Sequence, residues 1–375
     1  MGSARELSYA ESREIENPCY VDVRAPSEYA ADHIPGALNL PLFDDAERAK
    51  IGEIYHNISQ DQARLAGLEL VAPKLPQLIK ALAEIGAGSD TGAATGAGAD
   101  GIYGDATGQI QTKRGIKHQP VLYCWRGGLR SLAVAGAAEL MGIPCLRLRG
   151  GYRDYRHWLM ESIKAPLPFK TVVLHGLTGC GKTAILHLLK HKHGLQTVDL
   201  EGLAKHRGSV FGHIGLGEQP TQKYFQSLLY HELAGLDTAR PVIVECESRR
   251  IGRLLLDEPF YEAMRRGARI LLYDTPAGRT QRLLTDYEPH SHMRHISAAL
   301  QSPPLQRKFG ARNISGLTAS LQAGAYEEVI SFLLTHYYDP LYHYPHQPAK
   351  DYALCADSGN EEQAAAAIAE FIAKL

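Results

Sequence analysis

Two short stretches of this chain carry residue types at spacings that can do chemistry. In YCWRGGLRS, residues 123–131, Cys124 closes an apolar run and heads a series of glycines and arginines. A cysteine at such a strand end, with a helix to follow, faces backbone N–H donors. Helix N-termini and neighbouring cations favour the thiolate, the form that attacks. Cys124 is therefore the expected nucleophile, and Trp125, Arg126, Gly127, Gly128 and Arg130 its anion cradle. Five residues lie between Cys124 and Arg130, a width that suits a phosphate-sized group. A phosphorylated chalcogen donor and a phosphatase reaction both fit it.

The second stretch is GLTGCGKT, from Gly176 through Thr178, Gly179, Cys180, Gly181 and Lys182 to Thr183. It lies between the apolar run TVVLH and a helical pattern, so strand, glycine spacing and helix agree on a phosphate-binding loop. The glycines let backbone N–H groups converge at a helix N-terminus, where anions bind. Lys182 would neutralise the outer phosphate, and the Thr183 hydroxyl is placed for Mg²⁺. A diphosphate-bearing substrate follows, with nucleotide hydrolysis one option among others.

Further along, RPVIVECESRR ends a strand in Glu245 and Glu247, where an acid can orient a metal-bound water. AKHRGSVFGHIG offers Lys205, His206, Arg207 and Ser209 as contacts for phosphate or for an RNA backbone, and Arg249 is a further candidate. Arg250, Arg253, Arg265 and Arg266 would extend a local basic face.

The elements that must position these loops read as α/β throughout. CYVDVR, PVLYC and CLRLRG are short β-rich runs, and LRSLAVAGAAELMG reads as a helix beginning near Ser131 and closed by Gly142. After the Pro-punctuated linker IKAPLPF the alternation restarts with TVVLH, QTVDL, PVIVE and ARILLYD. Strand–helix alternation favours parallel sheets. The organisation expected is one α/β domain over residues 1–164, a second over 169–287, and a mostly helical region over 288–375. A Gly/Ala-rich stretch at about 86–119 lacks an apolar period and reads as a flexible surface insertion.

Composition narrows the setting. The chain has 375 residues, 45% of them hydrophobic, enough for two packed domains. Its net charge of −1 supplies no global field toward nucleic acid or an anionic membrane, so such a partner needs a local patch. The six cysteines lack metal-ligand spacing, and the N-terminal residues lack a signal peptide's basic start and apolar run. A soluble cytoplasmic protein with no membrane partner is the expectation.

With these residues in view, YVDVRAPSEYAADHIPGALNLPL (20–42) resembles the opening of a rhodanese domain, and YCWRGGLRS with LRGGYRDYR (148–156) resembles its active loop and closing strand. A rhodanese-like domain joined to a P-loop NTPase-like α/β domain with a helical C-terminal region resembles the tRNA 2-selenouridine synthase family. DLEGLAKHRGSVFG (199–212), VECESRRIG (244–252) and HYYDPLY (336–342) also resemble that family's segments. The resemblance implies a transferase acting on the wobble uridine of tRNAs for Lys, Glu and Gln. It implies alkylation of 2-thiouridine by geranyl diphosphate, then displacement of the S-geranyl group by selenium from selenophosphate or its supplying synthetase. Cys124 would hold selenium as a selenosulfide, and Gly176 to Thr183 would grip the diphosphate. The insertion departs from the family pattern.

Two readings from other classes stay open on the residues alone. One is a cysteine-dependent phosphatase or sulfurtransferase fused to a kinase-like domain. The other is a redox and nucleotide sensor with Cys124 as its switch.

Overall fold

The computed structural model describes residues 5–87 and 117–375, with the backbone of two short strands between them, Ile102–Gly104 and Ile110–Thr112. Most of the Gly/Ala-rich insertion lies outside the described residues. The chain divides into two compact units, Met1–Ser162 and Ile163–Leu375.

In the first unit, β1 (Glu6–Leu7), β2 (Pro18–Asp22) and β3 (Leu38–Asn39) precede the antiparallel pair β4 (Ile102–Gly104) and β5 (Ile110–Thr112). β6 (Gln119–Tyr123) and β7 (Leu146–Leu148) complete a parallel sheet of order β1-β7-β6-β2-β3. β2 and β6 are buried along nearly their whole length, which is why both read as unbroken apolar runs. Val21, Leu122, Leu82, Ile85, Val134 and Ala135 form the core between the sheet and its helices. The helix after the cysteine spans Leu129–Leu140 and starts two residues ahead of the expected Ser131. Its cap is Gly128, which offers no side-chain oxygen, so the sequence holds no capping signal there.

In the second unit, β8 (Thr171–His175), β9 (Gln196–Val198) and β10 (Val242–Glu245) are followed by a small antiparallel pair, β11 (Arg250–Ile251) and β12 (Leu254–Leu255). β13 (Ala268–Tyr273) and β14 (Leu354–Asp357) complete a parallel sheet of order β14-β13-β8-β10-β9. The chain leaves central β8 toward one edge and later returns to the other side through β13. That reversal opens a crevice at the carboxyl ends of the strands, the usual ligand position in such sheets.

β14 is a departure from the expected helical C-terminal region. The chain after residue 350 rejoins the sheet beside β13, then forms the helix Glu361–Ile372. At a sheet edge only Ala356 of the four strand residues is buried, so LCAD lacks the apolar run that marks the inner strands. The helices Pro289–Leu300, Pro303–Gln322 and Tyr326–Leu333 have a core of their own, built on Ile296, Leu300, Leu305, Ile314, Leu321 and Val329. Among the described residues, no helix is long and apolar enough to cross a membrane.

Candidate functional site

Cys124 follows the last residue of β6 and lies beneath its loop, only 2% exposed. The sulfur's neighbours are the Ser131 hydroxyl at 3.4 Å and the Gly128 carbonyl oxygen at 3.9 Å. The expected ring of N–H donors is therefore replaced, at the sulfur itself, by a hydroxyl and a carbonyl. Ser131, fully buried, is a neighbour that loop spacing did not single out.

Arg130 is a second correction. Its guanidinium donates to Glu28 at 2.8 Å, so its charge is already matched within the unit. Arg126 is exposed and has no such partner among the described residues, and Trp125 is exposed with its ring centroid 5.2 Å from that of Tyr152. Of the two arginines weighed for the cradle, Arg126 is the one left to meet an anion.

Three distant segments fix the loop. The backbone N–H groups of Tyr152 and Arg153 donate to the carbonyls of Cys124 and Trp125 at 2.8 and 3.0 Å. This approach is so close that a Cβ on Gly151, at φ 60°, would strike the Cys124 carbonyl. Tyr152 in turn donates to Asp32 at 2.6 Å and lies under the Arg24 guanidinium, whose Nη2 donates to Asp22 at 2.6 Å. The DVR strand, the turn before HIPG and GGYRDY thus form one buried polar network. Its job is positional: it holds the backbone of residues 124–127 in place.

The phosphate loop runs from β8 to the helix Lys182–His191, with Gly181 as the helix cap in a left-handed conformation. Gly176 has φ 155°, and a Cβ there would sit 2.6 Å from the Leu272 carbonyl oxygen, so no side chain fits between the loop and β13. The Lys182 amine donates back to the Gly176 carbonyl at 3.1 Å. Gly176, Thr178, Gly179, Gly181, Lys182 and Thr183 all line a cavity of about 1210 Å³. Cys180 does not: it is 1% exposed, packs into the sheet's apolar core, and burial pushes its thiol up.

Two arginines that carry no motif of their own buttress this loop from the helix Pro276–Tyr287. Arg279, fully buried, donates to the Thr178 carbonyl at 2.8 Å and forms a bidentate pair with Asp339 of HYYDPLY. One turn on, Arg282 donates to the Gly179 carbonyl at 2.5 Å and pairs with Asp274 and Glu361. By occupying loop carbonyls from behind, they leave the loop's N–H groups for the cavity. Removing one member of a buried ion pair leaves the other uncompensated. Arg279→Leu should therefore lower the urea stability of the second unit by about 3 kcal/mol and weaken pyrophosphate binding. A variant as stable as wild type would show that the pair contributes nothing net.

Beside Thr183, on the wall of the same cavity, lies a carboxyl pair. The Thr183 hydroxyl donates to Glu201 at 3.1 Å, and Glu201 shares a hydrogen bond with Glu247. Burial and the Glu201 charge push Glu247 up to about 8, and burial raises Glu201 as well. The pair therefore holds a proton at neutral pH. Because the folded state raises the Glu247 pKa above the unfolded value, stability is full below the unfolded pKa and lost as pH rises through about 8. The melting temperature should fall between about pH 4.5 and about pH 8, and Glu247→Gln should flatten that fall. Parallel curves for the two proteins, read by scanning fluorimetry, would contradict the assignment.

Several expected contacts lie elsewhere. Glu245 is fully buried and off the cavity; it accepts from the Glu201 backbone N–H at 2.8 Å, so its role is to hold that turn. His206 is buried beside His213 and is no surface contact. The Ser209 hydroxyl is spent on the Phe211 N–H and on the buried phenols of Tyr287 and Tyr338. Arg207 does line the cavity, over the Tyr287 ring at 4.9 Å, and Lys205 is exposed. Arg249 pairs with Glu258, Arg265 and Arg266 share Glu262, and Arg250 and Arg253 donate to the backbone carbonyls of Gly252 and Gln219, so the expected basic face is partly matched by carboxylates.

Comparison with known proteins agrees with both units. Residues 169–374 match the family model described as the tRNA 2-selenouridine synthase AAA domain, and residues 8–66 match the rhodanese-like domain. A tRNA 2-selenouridine synthase of Bordetella bronchiseptica is 34% identical over 357 residues, covering 87% of this chain and 88% of that protein. One from Shewanella frigidimarina is 30% identical over 370 residues, covering 90% and 91%. One from Pseudomonas syringae pv. syringae is 31% identical over 356 residues, covering 86% and 87%.

Proposed function

The chain belongs to the tRNA 2-selenouridine synthase family, and on that footing we propose that it converts 2-thiouridine to 2-selenouridine at the tRNA wobble position in two steps. The tRNAs are those for Lys, Glu and Gln. In the first step the 2-thio sulfur attacks the first carbon of geranyl diphosphate; a C–S bond forms, the C–O bond breaks, and diphosphate leaves. In the second, the selenium of selenophosphate adds to C2 and geranylthiolate departs as the C–S bond breaks; water then takes the phosphoryl group, the P–Se bond breaks, and phosphate is released. Alkylation makes this possible, because it turns a thione into a competent leaving group and renders C2 electrophilic. The phosphate loop serves the first step, where Lys182 and the loop N–H groups stabilise charge on the leaving diphosphate. The Cys124 loop presents the selenium in the second.

The observation that carries this reading is a shared wall in the second unit. Thr178, Leu283 and Tyr287 line both the phosphate-loop cavity and an apolar pocket of about 60 Å³ formed with Phe211, Ile296 and Val329. A diphosphate joined to a hydrocarbon chain matches that pairing, the distal end in the pocket and the rest along the wall. A nucleotide's base and ribose would leave polar edges unpaired there. Thr183, Glu201 and Glu247 also offer side-chain oxygens suited to Mg²⁺, which would add positive charge beside the diphosphate.

The test is nucleoside mass spectrometry after incubating the full chain with 2-thiouridine tRNA. Geranyl diphosphate alone should yield S-geranyl-2-thiouridine, and added selenophosphate should yield 2-selenouridine. Absence of the geranylated nucleoside would sink the first step.

A further inference from the structure

The helices Pro289–Leu300 and Pro303–Gln322 differ in charge from the rest of the molecule. Between Glu288 and Glu327 the chain has no Asp or Glu, yet it carries Arg294, Arg307, Lys308 and Arg312. All four are exposed, and none has an ion-pair or hydrogen-bond partner among the described residues. Elsewhere in the same unit Lys190, Lys192 and Arg249 each pair with a carboxylate, Arg265 and Arg266 share Glu262, and Arg240, Arg250 and Arg253 donate to backbone carbonyls. Four unpaired cations on two helices packed against each other form the kind of local patch that a chain of net charge −1 needs to hold a polyanion.

The inner faces of these helices explain the orientation. Ile296, Leu300, Leu305, Ile314 and Leu321 are buried in the helical core while the four cations are exposed, with Arg307 and Lys308 before and Arg312 after a break in the second helix at Gly310, φ 74°. The outer surface of the two helices exposes no large apolar side chain; its other exposed residues include Gln301, Gln306 and Asn313. A membrane surface would call for an apolar anchor beside the charge. Cations interleaved with amides suit a phosphate backbone.

The patch also adjoins the candidate site. Ile296 contributes to the apolar pocket from the inner side of the first helix. His292, on the same helix, lies against the turn at Gly215, where a Cβ would come 3.4 Å from its Nε2. That turn belongs to the segment whose Arg207 and Gly208 line the phosphate-loop cavity.

We propose that this two-helix face is the docking surface for the phosphate backbone of the substrate RNA, with Arg294, Arg307, Lys308 and Arg312 as its contacts. The proposal rests on the reading of the chain as a tRNA-modifying enzyme. It assigns RNA binding to residues that belong to none of the motifs read from the sequence, within the span 169–374 that matches the family model.

The experiment measures binding of a fluorescein-labelled tRNA transcript by anisotropy across a series of KCl concentrations. The full chain is compared with the variant R294Q/R307Q/K308Q/R312Q. Affinity should drop at least about tenfold, and the slope of log K against log salt should become shallower by about 3, because each phosphate that no longer meets a cation keeps its condensed counterion. R249Q/R265Q/R266Q, which removes paired arginines, should stay within about twofold of wild type. Pyrophosphate binding by calorimetry should be the same in all three proteins. In a second measurement, photocrosslinking of the wild-type chain to 4-thiouridine-substituted tRNA should map to peptides within 289–322. An unchanged slope and affinity in the quadruple variant, or crosslinks confined to other peptides, would overturn the proposal while leaving the enzymatic reading intact. Wild-type chain that binds phosphatidylserine vesicles but not tRNA would overturn both.

Discussion

Cys124→Ala is expected to make S-geranyl-2-thiouridine at the wild-type rate and 2-selenouridine at least about 10⁴-fold more slowly. The separation follows from where the chemistry sits. The thiol lies at the end of β6 in the first unit, whereas the diphosphate grip is built wholly from the second. Removing the sulfur takes away nothing that holds the leaving diphosphate. Replacement by alanine removes a single heavy atom from a side chain at the edge of the first unit's buried core, where the sulfur's polar neighbours are a serine hydroxyl and a carbonyl. The measurement is a time course of nucleosides from one tRNA substrate, first with geranyl diphosphate and then with selenophosphate added. Loss of geranylation in this variant would refute the division of labour. Full retention of selenation would remove Cys124 from the mechanism. Phosphate release from aryl phosphates, dependent on Cys124, would instead favour the phosphatase reading.

Lys182→Ala should produce the opposite pattern. Geranylation is expected to slow by about 10²–10³-fold, the scale on which removing one preorganised charge partner acts on a transition state. Selenation of tRNA that already carries the S-geranyl group should proceed as in wild type. In the structure the Lys182 amine rests on the Gly176 carbonyl, inside the loop and at the cavity wall, so it can turn onto an incoming phosphate without rebuilding the loop. Arg279 and Arg282 keep the loop shaped from behind and are untouched by the substitution. Affinity for pyrophosphate should fall in parallel with the geranylation rate. A variant that geranylates normally would show that Lys182 is not the group on which the leaving diphosphate depends.

The α/β class, both loops and the strands that carry them were legible in the order of the residues. Each of these is a local signal: a buried apolar run, then glycines at fixed spacing, then a helical period. Such patterns involve residues within one or two turns of each other, and local sterics decide them. Which side chains meet is a different matter, settled by folding. Arg130 is drawn to Glu28, Arg279 to Asp339, and Glu201 to Glu247 across strands and helices that are far apart along the chain. Spacing could nominate Arg130 and Glu245 for the site, but it could not show that one is neutralised and the other fully buried. It could not find β14 either, since a short edge strand takes its identity from its neighbour β13 rather than from its own composition. The basic two-helix face lies between these cases. Its lack of acids is written in the sequence, but only the packing of the apolar side decides that the four cations are left exposed.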